Sequence, residues 1–357
     1  MENLKGLILS GGAGTRLRPI THTSAKQLVP VANKPVLFYG IEALVAAGVS
    51  EIGIVIAPQT GDEIRSAVGD GSELGASITY IPQAEPLGLA HAVLVAEDFL
   101  GDSSFVMYLG DNLLRDGISE LVATFKRNEP EALIMLTQVP DPEHYGVAEL
   151  DGERIVRLVE KPTEPPSDLA LVGVYMFRPS VFAAARAIEP SPRGELEITD
   201  TIQRLIEEGK PVEYHRVKGW WKDTGQLADM LAANRLVLED IEPSIEGELI
   251  DCTLEGRVAV AAGAVLERTT VRGPAVIGAG ARVADSYIGP YTAIGEDCVV
   301  TGSEVEYSIL LRGASVRGLA ARMEASLLGR NVSLSRAEGL PKTIRMMVGD
   351  NSNLTLP

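Results

Sequence analysis

The residues of this chain that first suggest chemistry lie near its beginning, where an apolar run passes into glycines and then arginines. The sequence is LILSGGAGTRLRP from Leu7 to Pro19, with Arg16 and Arg18 after the glycines. A strand that ends in a glycine-rich turn and releases a helix leaves backbone N–H groups unpaired, and the arginines add positive charge there. The segment predicts a cradle for phosphate groups; the alternative is a tight turn with two solvated arginines.

Two common nucleotide-binding motifs do not fit this turn. A dinucleotide fingerprint needs a glycine three positions beyond Gly14, where the chain has Leu17. A Walker loop needs a Gly-Lys-Ser/Thr ending, which this segment does not have. The phosphate chemistry must therefore belong to another class of protein.

Two aspartates follow predicted strands further along the chain. Asp111 ends an apolar run in YLGDN, and Asp223 lies in GWWKDTG. A carboxylate together with phosphate oxygens and water is the usual environment of Mg²⁺ in proteins. We predict that Asp111 binds the metal and that Asp223 is its partner; an Asx turn or a helix N-cap is the alternative for each.

Composition and charge exclude several classes of function. A chain of 357 residues suggests two domains, and a net charge of -17 argues against nucleic-acid binding, so an anionic substrate needs a local basic pocket. Cys252 and Cys298 offer neither a disulfide framework nor zinc spacing. The beginning of the chain is typical of a first strand rather than a signal peptide, and no apolar run could span a bilayer. A reducing, cytoplasmic location is expected.

The first part of the chain predicts an α/β fold with a Rossmann-like, mostly parallel sheet. Uncharged apolar runs are typical of strands covered on both faces, and a helical repeat that includes Ile41 and Leu44 ends at Gly48. Ligands of such sheets bind at the carboxyl ends of the strands. The predicted strands are Leu7 to Leu9, Ile52 to Ile56, Ile78 to Ile81 and Phe105 to Leu109.

The second part predicts a parallel β-helix. We expect a catalytic domain at 1–239, an acidic linker at 240–247 and a left-handed β-helix with a tail at 248–357. An irregular β-sandwich is the alternative, and the tail from Thr343 to Leu356 is expected to pack back on the β-helix. Exposed β-helix ends predict a homo-oligomer. The apolar residues that recur about every six positions are Val271, Ile277, Val283, Ile288, Ile294 and Val300.

The histidines do not form a metal site in the sequence. They are scattered without ligand spacing, and none follows His215. Hexapeptide acyltransferases use a histidine base, so the second part of the chain is not expected to be a second enzyme.

Several of these motifs together resemble the sugar nucleotidyltransferases, and among them the long-form glucose-1-phosphate thymidylyltransferases. The match consists of GGAGTRLRP, then SAKQLVPVANKP from Ser24 to Pro35, and later motifs over the first two thirds of the chain. The resemblance implies Mg²⁺-dependent transfer from dTTP to glucose 1-phosphate with release of pyrophosphate. From the charge and the apolar runs above, neither a nucleic-acid nor a membrane partner is expected.

The resemblance also implies roles for individual residues. Arg16 neutralises the leaving phosphates, Lys26 is a second cation, and Asp111 and Asp223 hold the metal. Gln27 and Gln83 read the base, because an amide can pair with the carbonyl and imino edge of thymine or uracil. The implied nucleotide-binding residues are Leu9, Gly11, Gly12, Gly14, Thr15, Arg16, Gln27, Gln83, Gly88 and Asp111. The segment from Glu85 to Leu87 departs from the family pattern.

The sugar phosphate has its own implied set. In EKP, Lys161 binds the phosphate and Glu160 the sugar hydroxyls, whereas a surface ion pair is the alternative. The implied residues are Tyr145, Gly146, Glu160, Lys161, Val172, Gly173 and Glu195. A uridylyltransferase or another sugar-phosphate specificity remains open, because thymine and uracil differ by one methyl group. A nucleotide-sugar sensor or assembly subunit without turnover is the non-enzymatic alternative.

Overall fold

A computed structural model describes residues 4–12, 14–22, 24–337, 339 and 344–355. The chain forms two compact units. The first unit holds the described residues of Met1–Ala13 together with Val36–Asp223. The second unit holds those of Gly14–Pro35 and Thr224–Pro357. Among the described residues, no helix is long and apolar enough to cross a membrane.

The strands β1 to β13 and the helices are as follows. The strands are β1 Lys5–Ser10, β2 Pro30–Val31, β3 Lys34–Pro35, β4 Glu51–Ile56, β5 Ser77–Pro82, β6 Phe105–Leu109, β7 Asn112–Leu114, β8 Ala132–Gln138, β9 Gly146–Asp151, β10 Arg154–Glu160, β11 Leu169–Phe177, β12 Val212–Arg216 and β13 Trp221–Asp223. The helices are α1 Val36–Ala46, α2 Gly61–Val68, α3 Leu89–Val95, α4 Glu97–Leu100, α5 Ser119–Asn128, α6 Ser180–Ala187, α7 Ile198–Glu207 and α8 Leu227–Leu238.

The sheet of the first unit confirms the α/β prediction. Its main path runs β10-β9-β11-β6-β1-β4-β5, and β8 joins β11 to β12. Strands β6, β1, β4 and β5 are parallel, whereas β11 is antiparallel to its neighbours β6, β8 and β9. All nine residues of β11 are buried. The sheet is therefore mixed, and the turns that were predicted to bind the nucleotide follow strands of its parallel part.

One strand differs from the sequence prediction. The run Ile78 to Ile81 was expected to be covered on both faces, but β5 is the edge strand, and its residues alternate between exposed and more buried positions. An edge strand has a neighbour on one side only, so its outer face can remain in water. The other three predicted strands are confirmed as β1, β4 and β6.

The carboxyl ends of the parallel strands lie together. Leu9 near the end of β1 pairs with Leu109 at the end of β6, and Ser10 pairs with Ile56 at the end of β4. Directly after β6, the short strand β7 pairs antiparallel with β13. This ribbon places two turns rich in polar residues at the edge of the sheet where ligands of α/β proteins bind.

The segment after the glycine-rich turn that follows β1 is not the helix that was expected. It forms short 3-10 turns at Thr15–Leu17, Ile20–His22 and Lys26–Leu28, followed by the β2–β3 hairpin. The prolines Pro19 and Pro30 lack an N–H donor, so a continuous α-helix through this stretch would lose backbone hydrogen bonds. The segment therefore has little regular structure of its own.

The rest of the second unit forms a three-faced parallel β-helix, as predicted. Its strands stack as β14-β17-β20-β23-β26-β29, β15-β18-β21-β24-β27-β30 and β16-β19-β22-β25-β28, where the ranges are β14 Ser244–Ile245, β15 Glu248–Ile250, β16 Thr253–Glu255, β17 Val258–Val260, β18 Val265–Glu267, β19 Thr270–Arg272, β20 Ala275–Ile277, β21 Arg282–Ala284, β22 Tyr287–Ile288, β23 Thr292–Ile294, β24 Val299–Thr301, β25 Glu304–Glu306, β26 Ile309–Leu310, β27 Ser315–Arg317, β28 Met323–Glu324, β29 Leu327–Leu328 and β30 Ser333–Ser335. The arrangement fits the left-handed class and excludes a β-sandwich.

The repeat in the sequence is regular when it is counted by complete coils of the β-helix. Val265 pairs with Arg282 and Arg282 pairs with Val299, so each of these coils has 17 residues. The short step from Val283 to Ile288 recurs one coil earlier and one coil later. In each of the three coils this step crosses a corner of the β-helix where one residue has a positive φ, namely Arg268, Asp285 or Gly302. A tight corner in the left-handed region turns the chain in one residue fewer. The apparent defect in the hexapeptide repeat is therefore one of its three corners.

The tail does not pack as predicted. Every described residue from 344 to 355 is exposed, and none of them forms a helix or strand. Thr343 and Leu356, which bound the predicted segment, lie outside the described residues. The consecutive polar residues from Asp350 to Asn353 leave little apolar surface to bury in that part of the tail.

We predict that the inward and outward residues of one β-helix strand differ in their contribution to stability. Ile277 is fully buried in the triangular core, whereas Val276 beside it points outward and is half-buried. Ile277→Ala should lower the free energy of unfolding by about 2–5 kcal/mol, and the control Val276→Ala by clearly less. Urea denaturation measures both. Equal losses would contradict the assigned core.

Candidate active site

The two predicted metal ligands lie beside each other in the first unit. Asp111 follows β6 and is almost fully buried, and Asp223 is the last residue of β13. The β7–β13 register places Asp223 opposite Asn112, the residue directly after Asp111. Strand pairing therefore brings together two carboxylates that are 112 positions apart in the sequence.

Asn112 holds this arrangement, and the sequence analysis did not single it out as a site residue. Its Oδ1 accepts hydrogen bonds from Trp221 Nε1 at 2.6 Å and from the Gly173 N–H at 3.3 Å. Its Nδ2 donates to Asp111 Oδ1 at 3.2 Å. Because its one buried amide contacts Asp111, β13 and β11, its position controls all three. Its place between an aspartate and a strand was the only signal in the sequence.

The neighbours of Asn112 explain why Gly173 is a glycine. A Cβ atom at Gly173 would lie 2.8 Å from Asn112 Oδ1 and 2.7 Å from Leu109 Cδ1, too close for a side chain. On the other side, the Tyr108 hydroxyl donates to the Asn112 carbonyl at 3.3 Å. Burial and the nearby charge of Asp111 raise the pKa of Tyr108 well above its usual range, so its hydroxyl remains a donor.

The predicted sugar-phosphate residues surround the end of β10. Gly146 pairs with Glu160, and a Cβ atom at Gly146 would lie 3.1 Å from Glu160 Oε2. Lys161 has a φ of 42° and donates its N–H to the Tyr145 carbonyl at 3.0 Å. A non-glycine residue in this backbone region carries strain, which is common at functional sites. The structure therefore brings Tyr145, Gly146, Glu160 and Lys161 together.

Arg193 is a second residue that the sequence analysis missed. It forms ion pairs with Glu160 at 3.3 Å, with Glu195 at 3.0 Å and with Glu197 at 3.4 Å. Thr199 also donates to Glu160 Oε2 at 3.2 Å. The predicted Glu195 and Glu160 thus lie at the same place because one guanidinium binds both. The motif PRGELEITD contained this arginine, but charge alone did not distinguish it from a surface residue.

Burial changes the pKa values of acidic groups near Arg193. It raises the pKa of Glu197, and the charge of Glu160 adds to the effect. Burial and the charge of Glu160 likewise raise the pKa of Asp200 on α7. Burial therefore disfavours the charged form of both carboxyl groups, whereas Arg193 lies at the exposed side of the cluster.

The predicted base-binding residues of the first unit follow β5. Gln83 is buried, and its Nε2 donates to the Gly88 carbonyl at 3.3 Å and contacts His91 Nδ1 at 3.0 Å. A Cβ atom at Gly11 would lie 3.0 Å from Gln83 Oε1. The amide of Gln83 is therefore fixed beside Gly11. Gly11 and Gly12 form the glycine turn that directly follows β1, the strand that contains Leu9.

Gly88 has a conformation that excludes other residues. Its φ is 106°, and a Cβ atom there would lie 2.4 Å from the Leu196 carbonyl oxygen. Leu196 donates its N–H to Leu87 at 2.8 Å and accepts one from Ala90 at 3.0 Å. The EPLG turn, although it departs from the family pattern, is thus tied by its backbone to the segment that carries Arg193 and Glu195.

The remaining predicted nucleotide-binding residues lie in the second unit. Gly14 has a φ of 62°, and a Cβ atom there would lie 3.0 Å from Lys26 Cβ. Thr15 begins the first 3-10 turn, and Arg16 in the same turn is exposed. Gln27 is buried, and no described donor reaches its Oε1. A buried amide oxygen without a donor is costly unless a ligand supplies one.

The donor set of the first unit fits a metal that is bound together with phosphates. The described residues contain no group of three or more His, Cys, Asp or Glu side chains arranged to hold a metal ion. Two adjacent carboxylates are what a hard divalent cation needs from a protein when phosphate oxygens and water complete its coordination.

Val172, which was predicted to contact the sugar, is fully buried in β11 next to Gly173.

The chain is similar to several known proteins along almost its whole length. The family model described as "Nucleotidyl transferase" matches residues 5–240. A Streptomyces antibioticus protein named glucose-1-phosphate thymidylyltransferase is 54% identical over 99% of both chains. A Streptomyces griseus protein of the same name is 56% identical over 98% of both. The Haloferax volcanii low-salt glycan biosynthesis nucleotidyltransferase Agl11 is 48% identical over 99% of this chain and 100% of its own length.

Solved structures agree on the fold. A Bacillus anthracis protein assigned as a glucose-1-phosphate thymidylyltransferase, in complex with sucrose, has a TM-score of 0.64 and 36% identity, covering 68% of this chain and 98% of its own. A UDP-glucose pyrophosphorylase complexed with UDP-glucose has a TM-score of 0.60 and 24% identity over 68% of this chain and 100% of its own. This second similarity shows the fold alone. Nucleotidyltransferases of this family generally use a divalent metal.

We predict a pH-dependent gain in stability from Asp200→Asn. A carboxyl group whose pKa is raised in the folded state binds its proton more tightly there, so its penalty develops as the pH rises past its unfolded pKa. The substitution should therefore stabilise the protein more at pH 7 than at pH 4. Urea unfolding at both values measures this, with exposed Asp116→Asn as the control. An equal change at both pH values would contradict the assigned environment.

Proposed function

We propose that this chain, which belongs to the nucleotidyl transferase family, transfers a thymidylyl group from dTTP to α-D-glucose 1-phosphate and releases pyrophosphate. The observation that carries the proposal is the similarity over 99% and 98% of the chain to two relatives that bear the name of this activity. The buried polar groups of both units support it. Each unit supplies different donors.

For the base, the supporting residues are Gln27 and Gln83. Gln27 Oε1 is buried and lacks a described donor, so it fits the imino N–H of thymine. Gln83 Nε2 is used by Gly88 and His91, which fixes the direction of its amide. We assign thymine recognition to these two amides, with the backbone at Gly88 at the edge of the base.

For the triphosphate, the proposed donors are backbone N–H groups and two cations. The turn after Leu9 supplies Gly11, Gly12 and Gly14, followed by Thr15. Arg16 and Lys26 neutralise the charge that develops on the leaving pyrophosphate. In a chain of net charge -17, such local cations are required to hold an anionic substrate.

For the sugar phosphate, we assign the phosphate to Lys161 and Arg193. Both cations lie within 3.5 Å of Glu160, so the phosphate would meet two positive groups near the carboxylate that binds the sugar hydroxyls. Glu195, the Tyr145–Gly146 pair and the backbone at Val172 and Gly173 are the other groups that we assign to the sugar hydroxyls. These are positions within one unit.

The proposed reaction is a direct displacement. A phosphate oxygen of glucose 1-phosphate forms a bond to the α-phosphorus of dTTP, and the bond from that phosphorus to the β-phosphate oxygen breaks, so its electrons leave with pyrophosphate. Positioning and charge stabilisation carry such a transfer, because no protein nucleophile is needed. We assign Mg²⁺ to Asp111 and Asp223; when bound, it would stabilise negative charge on the phosphate oxygens.

We also propose that three parts of the chain have different roles and that the chain associates with copies of itself. Residues 1–239 would supply the reaction, 240–247 a linker, and 248–357 the β-helix with its tail. The end strands of the β-helix and the exposed Met347 favour contact with a second copy of the chain. Sedimentation velocity tests this, and a species with the mass of one chain at all concentrations would contradict it.

The test of the proposed function is pyrophosphate release in the presence of Mg²⁺ and glucose 1-phosphate, with dTTP, UTP, GTP, CTP and ATP compared. We expect the highest kcat/KM for dTTP, and a lower value for UTP by about tenfold, because one methyl contact is worth about 1–3 kcal/mol. Preference for UTP would make the chain a uridylyltransferase. No release with any nucleotide would favour a sensor or assembly subunit.

A substitution at Gln27 makes the test specific for the base. Gln27→Leu removes the amide but keeps a buried side chain of similar size, so the KM for dTTP should rise about tenfold or more while that for glucose 1-phosphate stays within about twofold. The advantage of dTTP over CTP should shrink as well. Unchanged nucleotide selectivity would contradict the role assigned to this amide.

A further inference from the structure

The second unit combines the irregular segment from Gly14 to Pro35 with the β-helix. We infer that the β-helix positions this segment through two asparagines, Asn33 in the β2–β3 turn and Asn234 in α8. The inference rests on the proposed function, because the segment carries Arg16, Lys26 and Gln27. Asn33 and Asn234 are thereby positioning residues, which act through the groups that bind the nucleotide.

The hairpin turn presents its backbone and one side chain to the rest of the second unit. Ala32 and Asn33 have φ values of 47° and 64°, as a two-residue turn of this kind requires. Asn33 Nδ2 donates to the Ile294 carbonyl at 2.7 Å. Ile294 ends β23 and is fully buried in the β-helix core. The tip of the hairpin is therefore fixed to a coil of the β-helix.

Asn234 makes the second connection. It is fully buried in α8, its Oδ1 accepts the Ala32 N–H at 2.8 Å, and its Nδ2 donates to the Tyr291 carbonyl at 2.9 Å. Tyr291 directly precedes β23, the same coil that Asn33 contacts. One buried amide thus joins the hairpin, α8 and the β-helix. A buried amide with both ends used is sensitive to any change in the distance between its partners.

Other parts of the second unit also lie near Pro19 and Ile20, which are closer to Arg16 in the sequence. A Cβ atom at Gly329 would lie 3.4 Å from Ile20 Cδ1, and one at Gly349 would lie 3.8 Å from Pro19 Cβ. The segment therefore lies near the last coil and the tail as well as near β23. Its backbone is mostly in short turns, so such contacts rather than regular secondary structure determine where its side chains lie.

The cleanest test is Asn33→Gly, because glycine keeps the left-handed backbone and removes only the bond to Ile294. We expect the KM for dTTP to rise about threefold to tenfold, the range that loss of one net hydrogen bond gives. The KM for glucose 1-phosphate should stay within about twofold. The matched control is Asn331→Gly, another asparagine with positive φ, located in the last coil of the β-helix.

A second variant and a second readout separate this inference from the proposed function. Asn234→Asp keeps the acceptor for Ala32 but loses the donor to Tyr291, and it should raise the KM for dTTP in the same way. Hydrogen exchange at the Leu28 and Val29 amides, which donate within the turn next to Gln27, should become faster in both variants.

The outcomes are distinguishable. A KM for dTTP that changes no more than in Asn331→Gly would overturn the inference, and so would a loss that affects both substrates equally. If the wild type transfers no nucleotide, the proposed function has failed. In that case hydrogen exchange alone decides: faster exchange at Leu28 and Val29 supports the positioning contact, and exchange equal to the Asn331→Gly control overturns it.

Discussion

The structure of the candidate site depends on one buried amide, that of Asn112. Its oxygen accepts from Trp221 and Gly173, and its nitrogen donates to Asp111. A buried amide with all these partners cannot move without leaving a donor or acceptor unsatisfied, which is costly in a protein interior. The β7–β13 ribbon, the turn that carries Asp111 and the strand that carries Gly173 are therefore held in one arrangement, and Asp223 is brought beside Asp111.

The positive charges of this acidic chain lie where the proposed substrates carry phosphate groups. The chain carries an overall charge of -17, yet cations lie at both proposed phosphate sites, namely Arg16 and Lys26 in the second unit and Lys161 and Arg193 in the first. Arg193 is surrounded by Glu160, Glu195 and Glu197, so it is held in place by ion pairs before any substrate arrives. A preorganised charge costs no rearrangement when negative charge develops on a phosphate, which is how electrostatic stabilisation of phosphoryl transfer works.

Much of this could be predicted from the sequence, and the failures have physical causes. Apolar runs such as Phe105 to Leu109 gave the parallel strands, and the six-residue period gave the β-helix, because burial alone determines both patterns. Asn112 and Arg193 were missed because their importance lies in contacts across the fold, with Trp221 in one case and Glu160 in the other. The helix expected after Gly14 was replaced by 3-10 turns, since local glycine and proline geometry overrode the analogy with other phosphate loops.

The central claim is that Asp111 and Asp223, paired through Asn112, form the metal site of the proposed transfer. The most direct measurement is electron paramagnetic resonance of Mn²⁺ added to the protein in the presence of dTTP, with the wild type, Asp111→Asn and Asp223→Asn compared and Asp116→Asn as control. The account predicts a protein-bound Mn²⁺ spectrum in the wild type and in the control, and its loss in both site variants while circular dichroism shows an intact fold. Retention of the wild-type spectrum in Asp111→Asn and Asp223→Asn would contradict it.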